Sequence, residues 1–590
     1  KKKKKKKKKK LFVIIYYQKE IFTFCRYSIC FAITLNITLQ IFLLCLLILI
    51  TNINTNVKLW LQNTWETIIS LKLRIHFFVF VAFLQGIIYC NNYLHRQPYL
   101  KNRFLKIQHI FTGQNLLRGL LCILMGCNLV WLHLSLKKGN HNLLIDNCDT
   151  LYGSCLIEEH YFLLLGGMWT GFYFFLTTSL SNQRYFQFSI IPMTKFSKFR
   201  KGIYSMLSTI TSISLWPVIY FIIGYYLLGS HMRDFILSIT SAQIETKPLD
   251  NFPGLLNVSL TMYLWLYQST LIFTSNTTIL LLEVFLTEWI PLEIQPNNNI
   301  FDSHISTITL SDVLSMDNIP MIQHLGYLDL VTLAEKQETR RRILFTLSQP
   351  GGHPYNWNCI IEKSLNFINK FSDELNAITL KAKEQQYASS TSTITTSISS
   401  NLSAFKSEYT YNMRKLVTDT IPSTNESCVS KSPEIKSLTY KYIKTKWDLM
   451  ISYFLSKPLI YYVFGEQDEL KIEYALFNAQ AVIWAAEAIS SLAIVSLKED
   501  SYGIVQKDLP DIFHALLALK LTLDKLYKSN ILMKKSQNSD RCIKQMFNSL
   551  RSASKRSLYR ITTGFENYIN DLKLESTMIE HLQPFLNYKE

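Results

Sequence analysis

Six apolar stretches, each close to 20 residues long, crowd the chain before residue 290. They run approximately Cys30–Ile50, Ile75–Tyr93, Leu117–Leu136, Tyr161–Leu180, Tyr204–Leu228 and Leu255–Thr274. A helix of about 20 mostly apolar residues is what crosses the hydrocarbon core of a bilayer. The expected fold class is therefore all-α: a six-span transmembrane helical bundle followed by a mostly helical water-facing region. Composition agrees, because only 18% of the residues are charged, against about 25% in a typical soluble chain. The charged and Ser/Thr-rich segments gather after residue 290. Trp216–Pro217 predicts a kink in the fifth span, since proline removes a backbone donor. The sixth stretch continues with breaks to Ile290, which predicts a tilted span or an interfacial extension.

Lys and Arg in the short loops set the orientation. The loop after span two carries Arg96, Lys101, Arg103 and Lys106, and the loop after span four carries Arg184, Lys195, Lys198, Arg200 and Lys201. Both are expected to face the cytosol. The loop after span three sets Lys137 and Lys138 against Asp146, Asp149, Glu158 and Glu159. The loop after span five holds Arg233 and Lys247 with Asp234, Glu245 and Asp250. Only the loop after span one, with Lys58, Lys72 and Arg74, votes weakly the other way. Six spans then put both termini on the cytosolic side.

The formal charge is +19, of which ten charges belong to the unbroken run Lys1–Lys10, leaving +9. That run has no Met before it and reads as a translated poly-A tract, a gene-boundary error or an expression scar. The competing reading is a polybasic arm for anionic lipid or nucleic acid. Residues 1–25 are accordingly set apart as a doubtful extension. Eleven cysteines occur without a CxxC pair, so neither a zinc site nor a redox motif is indicated. Cys148 and Cys155 fall in the polar loop expected to face an oxidising lumen, where they form either a candidate disulfide or two free thiols. Asn257–Val258–Ser259 matches a glycosylation acceptor but lies too close to the membrane to be expected modified.

Transporters and proton pumps place ionisable residues within their spans. Here His76 and His133 lie near span ends and Glu283 follows the sixth span. Paired broken helices, the mark of many transporters, are missing. No nucleophile elbow, metal-ligand pair at helical spacing or Gly-rich phosphate loop occurs. No catalytic residue, cofactor or metal is therefore assigned. The rival readings are a multi-pass endoplasmic reticulum enzyme of lipid acyltransferase type, which should show a His or Asp/His pair near a span end, and a transporter.

The domain reading places the six-helix transmembrane domain at 26–290 and a helical post-membrane region at 291–386. A Ser/Thr-rich linker without hydrophobic period follows at 387–436, then a C-terminal helical domain at 437–590. In the post-membrane region Arg340, Arg341 and Arg342 read as a solvated face. Ser348-Gln349-Pro350-Gly351-Gly352-His353-Pro354 reads as a tight turn, with Asn356 and Trp357 opening the next helix. Ala479–Leu497 is apolar enough to tempt a seventh span. Glu487 and Ser490-Ser491 interrupt it, and Lys498-Glu499-Asp500 ends it, so a buried core helix is preferred. Trp447–Phe464, aromatic and flanked by lysines, reads as ordinary helix packing or as a membrane-surface segment.

Several of these motifs resemble a known family, the Ndc (nuclear division cycle) transmembrane nucleoporins of the nuclear pore membrane ring, animal type. The post-membrane run Leu344-Phe345-Thr346-Leu347 through Ser348–Trp357 is similar to theirs. So are Gly254–Leu260 entering span six and Glu159–Phe162 entering span four. In the last domain the similar residues are Ala479-Gln480, Ile483-Trp484-Ala485, Glu487, Glu499-Asp500, Tyr502-Gly503-Ile504-Val505-Gln506, Leu509-Pro510, Tyr559–Thr563 and Phe585–Glu590. The resemblance implies six spans, both termini on the pore side of the nuclear envelope, and no catalysis. It implies a role in anchoring and assembling the nuclear pore complex. The implied partners are pore-membrane lipids, other pore-membrane proteins, the amphipathic-helix-bearing linker nucleoporin and the β-propeller nucleoporin aladin, without direct nucleic-acid binding. The segment around Ile483-Trp484 is expected to be domain core rather than docking surface.

Overall fold

The computed structural model describes residues 2–52, 56–70, 75–94, 99–136, 145–147, 154–180, 188, 193–240, 243–244, 249, 252–255, 257–294, 309–317, 319–347, 352–394, 446, 450, 453–454, 457–465, 468–528, 538–569, 571–572 and 574–587. Side chains are described from Tyr27 onward.

The first half is a bundle of α1 (Lys2–Thr51), α2 (Val57–Ser70), α3 (Ile75–Leu94), α4 (Arg103–Ile110), α5 (Gly113–Leu136), α6 (Glu158–Leu180), α7 (Lys195–Thr240), α8 (Phe252–Leu255) and α9 (Val258–Leu286). All six expected spans lie on helices of this set: α1, α3, α5, α6, α7 and α9. Three short strands break the helical pattern at one end. β1 (Ile145–Asn147) pairs antiparallel with β2 (Ser154–Leu156), which pairs in parallel with β3 (Gln243–Ile244).

The bundle is inside-out relative to a water-soluble protein. Phe77, Phe80 and Phe83 on α3, Leu116, Leu117 and Leu120 on α5, and Trp216, Ile219, Ile223 and Leu227 on α7 all face outward. A soluble monomer rarely exposes apolar patches beyond a few hundred Å², whereas a bilayer covers such a surface. Polar side chains turn inward instead. Gln40 Nε2 donates to Thr278 Oγ1 at 3.3 Å, and Thr278 donates to Asn36 Oδ1 at 3.1 Å, tying α1 to α9. His133 lies 2.6 Å from the Tyr267 hydroxyl and 2.8 Å from Thr51 Oγ1, joining α5, α9 and α1. Inter-helix hydrogen bonds in lipid contribute about 1 kcal/mol each.

One expectation needs correction, and two charged residues at span margins are buried rather than solvated. Arg118 is buried on α5, and its Nη2 donates to Ser179 Oγ at 2.6 Å. Glu158, 1% exposed, accepts from Arg233 at 2.9 Å, Tyr225 at 3.0 Å and the Leu249 backbone at 2.9 Å. The fifth span is not confined to Tyr204–Leu228: α7 runs unbroken for 46 residues through Pro217, about 70 Å at 1.5 Å per residue. It therefore projects beyond the bilayer core.

The second half is a single packed unit. Its helices are α10 (Leu310–Leu314), α11 (Pro320–Lys336), α12 (Glu338–Leu344), α13 (Tyr355–Ile394), α14 (Pro458–Phe464), α15 (Asp468–Ala475), α16 (Ala479–Glu499), α17 (Leu509–Lys528), α18 (Asn538–Gly564) and α19 (Ser576–Leu586). α16 is long and apolar enough to cross a membrane, yet it is wrapped by α11, α13 and α18. α18 presents Arg556 and Arg560, and α12 presents Arg341, to polar groups on α16, which lipid would not allow. Residues expected in two separate regions, 291–386 and 437–590, thus share one core: Trp357, Ile368 and Leu375 of α13 join Leu492, Leu516 and Leu523. Of the expected linker, 387–394 continues α13 and 395–436 lies outside the described residues.

α5 and α6 approach each other closely. A Cβ on Gly126 would overlap the Gly167 carbonyl, and one on Gly171 would overlap the Cys122 carbonyl, so backbone meets backbone along this seam. Small residues permit such approaches in membranes. Gly126→Val is expected to destabilise the detergent-solubilised protein by about 3 kcal/mol or to prevent its accumulation. Gly224→Ala, with open space around it, is expected to be nearly neutral. Comparable thermal stability of the two variants would contradict this packing.

Candidate functional site

Where the chain leaves the membrane, a hydrophobic core runs from the bundle into the helical unit, and one buried carboxylate ties the two together beside it. Asp329 on α11 is fully buried. It accepts from Trp289 Nε1 at 3.1 Å and from the Leu292 backbone at 3.1 Å, both just past the end of α9. Arg340 on α12 closes the cluster, at 2.8 Å from Asp329, and also donates to the Leu292 carbonyl. A buried ion pair repays its desolvation only when its remaining donors and acceptors are satisfied, and this carboxylate has both oxygens engaged.

The neighbouring arginine makes a second clamp, within the helical unit. Arg341 donates through Nε at 2.9 Å and Nη2 at 2.6 Å to the two carboxylate oxygens of Glu499. Its Nη1 donates to the Ala334 carbonyl at 2.8 Å. This fork geometry is specific to guanidinium. The paired charges hold Glu499 below the usual carboxylate range and raise Arg341 further. Arg340–Arg342 is therefore not one solvated face. Only Arg342 is solvated, pairing with Glu338 one turn away; the other two form separate buried clamps. A charge run read in one dimension cannot reveal which carboxylates the fold will bring to it.

The two motif groups meet at a third point. Ser348, Gln349, Pro350 and Gly351 lie outside the described residues, while Gly352, His353 and Pro354 lead into α13 without helical structure. Trp357, in the first turn of α13, is 1% exposed, and its Nε1 donates to Asp508 Oδ2 at 2.8 Å. A tight turn delivers Asp508. Asp500 accepts from the backbones of Tyr502 at 3.1 Å and Val505 at 3.0 Å, and Gly503 sits at φ +64°, a conformation that costs glycine little. Gln506 is exposed in the short 3-10 turn that follows, and Pro510 occupies the first turn of α17, where its missing N–H costs no helical bond.

The remaining motif residues line α16 and α18. Trp484 is buried and meets Phe188, from the loop between α6 and α7, edge-on at 5.2 Å. Phe188 stacks in turn on His324 at 5.7 Å. Glu487 pairs with Arg556, and Arg560 donates to Ser491 Oγ at 2.5 Å and approaches Glu335 at 3.6 Å. Tyr559 is partly exposed. Cys148 lies outside the described residues; Cys155 stands on β2 opposite Asp146, and no pairing of the two is described. A crevice lined by Asp317, Pro320, Gln323, Lys370 and Glu374 among others opens to solvent. Among the described residues no group of His, Cys, Asp and Glu could hold a metal ion.

Residues 26–583 match the family described as nucleoporin protein Ndc1-Nup. The chain belongs to this family. It is 28% identical over 578 residues to nucleoporin NDC1 of Homo sapiens, covering 83% of this chain and 85% of that protein. It is 27% identical over 577 residues to nucleoporin NDC1 of Mus musculus, with the same coverage. Nucleoporin Ndc1 of Drosophila melanogaster is 27% identical over 513 residues, covering 85% of this chain and 86% of its own. Family membership and the set of long apolar helices together make this Ndc1-Nup chain a transmembrane nucleoporin of the pore membrane.

His324 gives the junction a pH dependence. Burial pushes its imidazole below the usual range, against backbone hydrogen bonds to Pro320 and Phe477 that act the other way. A histidine harder to protonate folded than unfolded contributes stability that is complete above about pH 6.5 and declines as pH falls toward the folded value. Thermal stability of the purified chain is therefore expected to drop between about pH 7 and pH 5.5. The drop should be smaller in His324→Leu, and an equal drop in both proteins would contradict the assignment.

Proposed function

We propose that this Ndc1-Nup chain anchors the nuclear pore complex in the pore membrane and supports its assembly by binding soluble nucleoporins through its helical unit. The observation that carries this reading is the Asp329 cluster. A docking domain that transmits load to a membrane anchor needs a fixed seat on the spans, and Trp289, Leu292 and Arg340 converge on one buried carboxylate to supply it. Phe188 against Trp484 adds a second seat 5.2 Å apart, made from a different inter-helix loop. A flexible tether would need neither.

The proposed membrane sidedness, with the helical unit and both termini on the cytosolic side, is supported by the distribution of charge. The two loops richest in Lys and Arg precede α5 and α7, and both supply residues that touch the helical unit: Tyr99 meets Tyr474 and Phe188 meets Trp484. The positive-inside rule places that end in the cytosol, with both termini on the pore side. The partners proposed are the amphipathic-helix linker nucleoporin and aladin, which the family resemblance implies, with no catalysis required.

The test uses a tagged full chain and a tagged chain ending after residue 290 in cells lacking the endogenous protein. The full chain is expected at pore-coincident puncta on the nuclear rim and to co-purify soluble nucleoporins. The truncated chain is expected to reach membranes but to lose the nucleoporins. Undiminished nucleoporin recovery with the truncated chain would contradict docking through the helical unit, and a diffuse reticular pattern for the full chain would contradict the anchor role.

A further inference from the structure

One aromatic and basic surface is absorbed neither by the bundle nor by the core of the helical unit. α4 lies between the spans α3 and α5, and Phe104, Leu105, Ile107 and the following Phe111 are exposed on it. This apolar strip runs directly into the outward face of α5 at Leu116, Leu117 and Leu120, the surface the bilayer covers. α14 sits against α4 although more than 300 residues separate them in sequence. Phe104 and Phe464 rings lie 5.0 Å apart, and the Arg103 guanidinium stands 3.6 Å over the Tyr462 ring. Around this contact Met450, Tyr453, Phe454, Tyr461 and Tyr462 are exposed.

We propose that α4 and α14 together form an interfacial platform that lies in the headgroup layer of the bilayer and binds anionic phospholipid. Three observations select lipid as the occupant. The exposed strip is continuous with the lipid-facing side of α5, so the membrane edge is already at its border. Its exposed side chains are Tyr and Phe with long basic neighbours, the composition that settles at the membrane–water boundary. Basic charge predominates on this surface: Lys101, Arg103 and Lys106 occur with no acidic residue from Tyr99 to Arg118, and Lys457 lies in an acid-free stretch from Leu449 to Phe464 that Asp448 and Glu466 bound. Each basic side chain near an anionic leaflet strengthens attachment by about fivefold. Because α14 comes from the water-facing half of the chain and packs on α4 of the bundle, the platform ties that half to the leaflet.

The inference rests on the spanning reading of the bundle, and its test separates the two. A fluorescent amino acid is placed at Phe104, at Tyr461, at Ile219 on the outward face of α7 and at Tyr502 on the turn after α16, one per full-length protein. Each protein is reconstituted in phosphatidylcholine bilayers with or without phosphatidylserine, with lipids carrying a quencher near the headgroup or along the acyl chain. Ile219 is expected to be quenched by the acyl-chain probe. Phe104 and Tyr461 are expected to be quenched several-fold more than Tyr502 by the shallow probe, and more so with phosphatidylserine. Changing Lys101, Lys106 and Lys457 to Gln together is expected to remove the phosphatidylserine dependence while leaving Ile219 unchanged, which shows that the variant is folded. Quenching at Phe104 and Tyr461 no deeper than at Tyr502, with Ile219 quenched normally, overturns the platform and assigns this face to water or a protein. Loss of quenching at Ile219 as well overturns the spanning reading with it.

Discussion

A helix that is apolar on every side has two places to go, a bilayer or the middle of a protein, and Ala479–Glu499 takes the second. Burying it away from lipid requires neighbours on all sides, and no single stretch of chain supplies them. Helices from 320–394 cover part of it and 538–564 cover another. The rest of the water-facing half follows from that requirement. The two segments must come together, Arg341 must find Glu499 at the end of the buried helix, and Trp357 must find Asp508 just beyond it. The charged groups at its rim keep the helix out of the membrane, because lipid would leave those guanidiniums and carboxylates to be desolvated at a cost of several kcal/mol each.

The bundle obeys the opposite solvent. There the outside is apolar and the inside carries amides, hydroxyls and charged groups such as Arg118 and the Glu158–Arg233 pair. Such groups cannot drive folding by escaping water, since no water is present; they specify which helices touch and in what register. Between these two regimes stands Asp329, taking hydrogen bonds from both sides of the boundary. A transmembrane nucleoporin built this way holds its water-facing unit at a fixed place on the spans.

The spans were legible in the sequence because length alone marks them: a run of about 20 apolar residues needs no partner to be recognised. The buried nature of 479–499 was legible too, from Glu487 and the abrupt Lys498-Glu499-Asp500 stop. What the sequence hid were pairings across distance. Arg340 and Arg341 look like their neighbour Arg342 until the fold brings Asp329 and Glu499 to them. Arg118 sits at a span margin where an arginine ordinarily reaches for water, and Ser179 and the Phe175 ring on another helix account for its burial. The motif residues around Trp357 and around Asp508 could each be singled out, but nothing in one dimension shows that they touch. The core that 291–386 shares with 437–590 was hidden for the same reason, since a long intervening polar segment looks like a domain boundary whether or not the flanking helices share a core.

The shared core is the claim on which the whole architecture stands, and a single cut tests it. A protease site placed near residue 410, outside the described helices, allows the purified full-length protein to be cleaved in detergent and then washed in high salt. A common hydrophobic core predicts that the C-terminal fragment stays with the membrane fragment and elutes with it as one species. Release of the C-terminal fragment as a folded, separately eluting protein would contradict it.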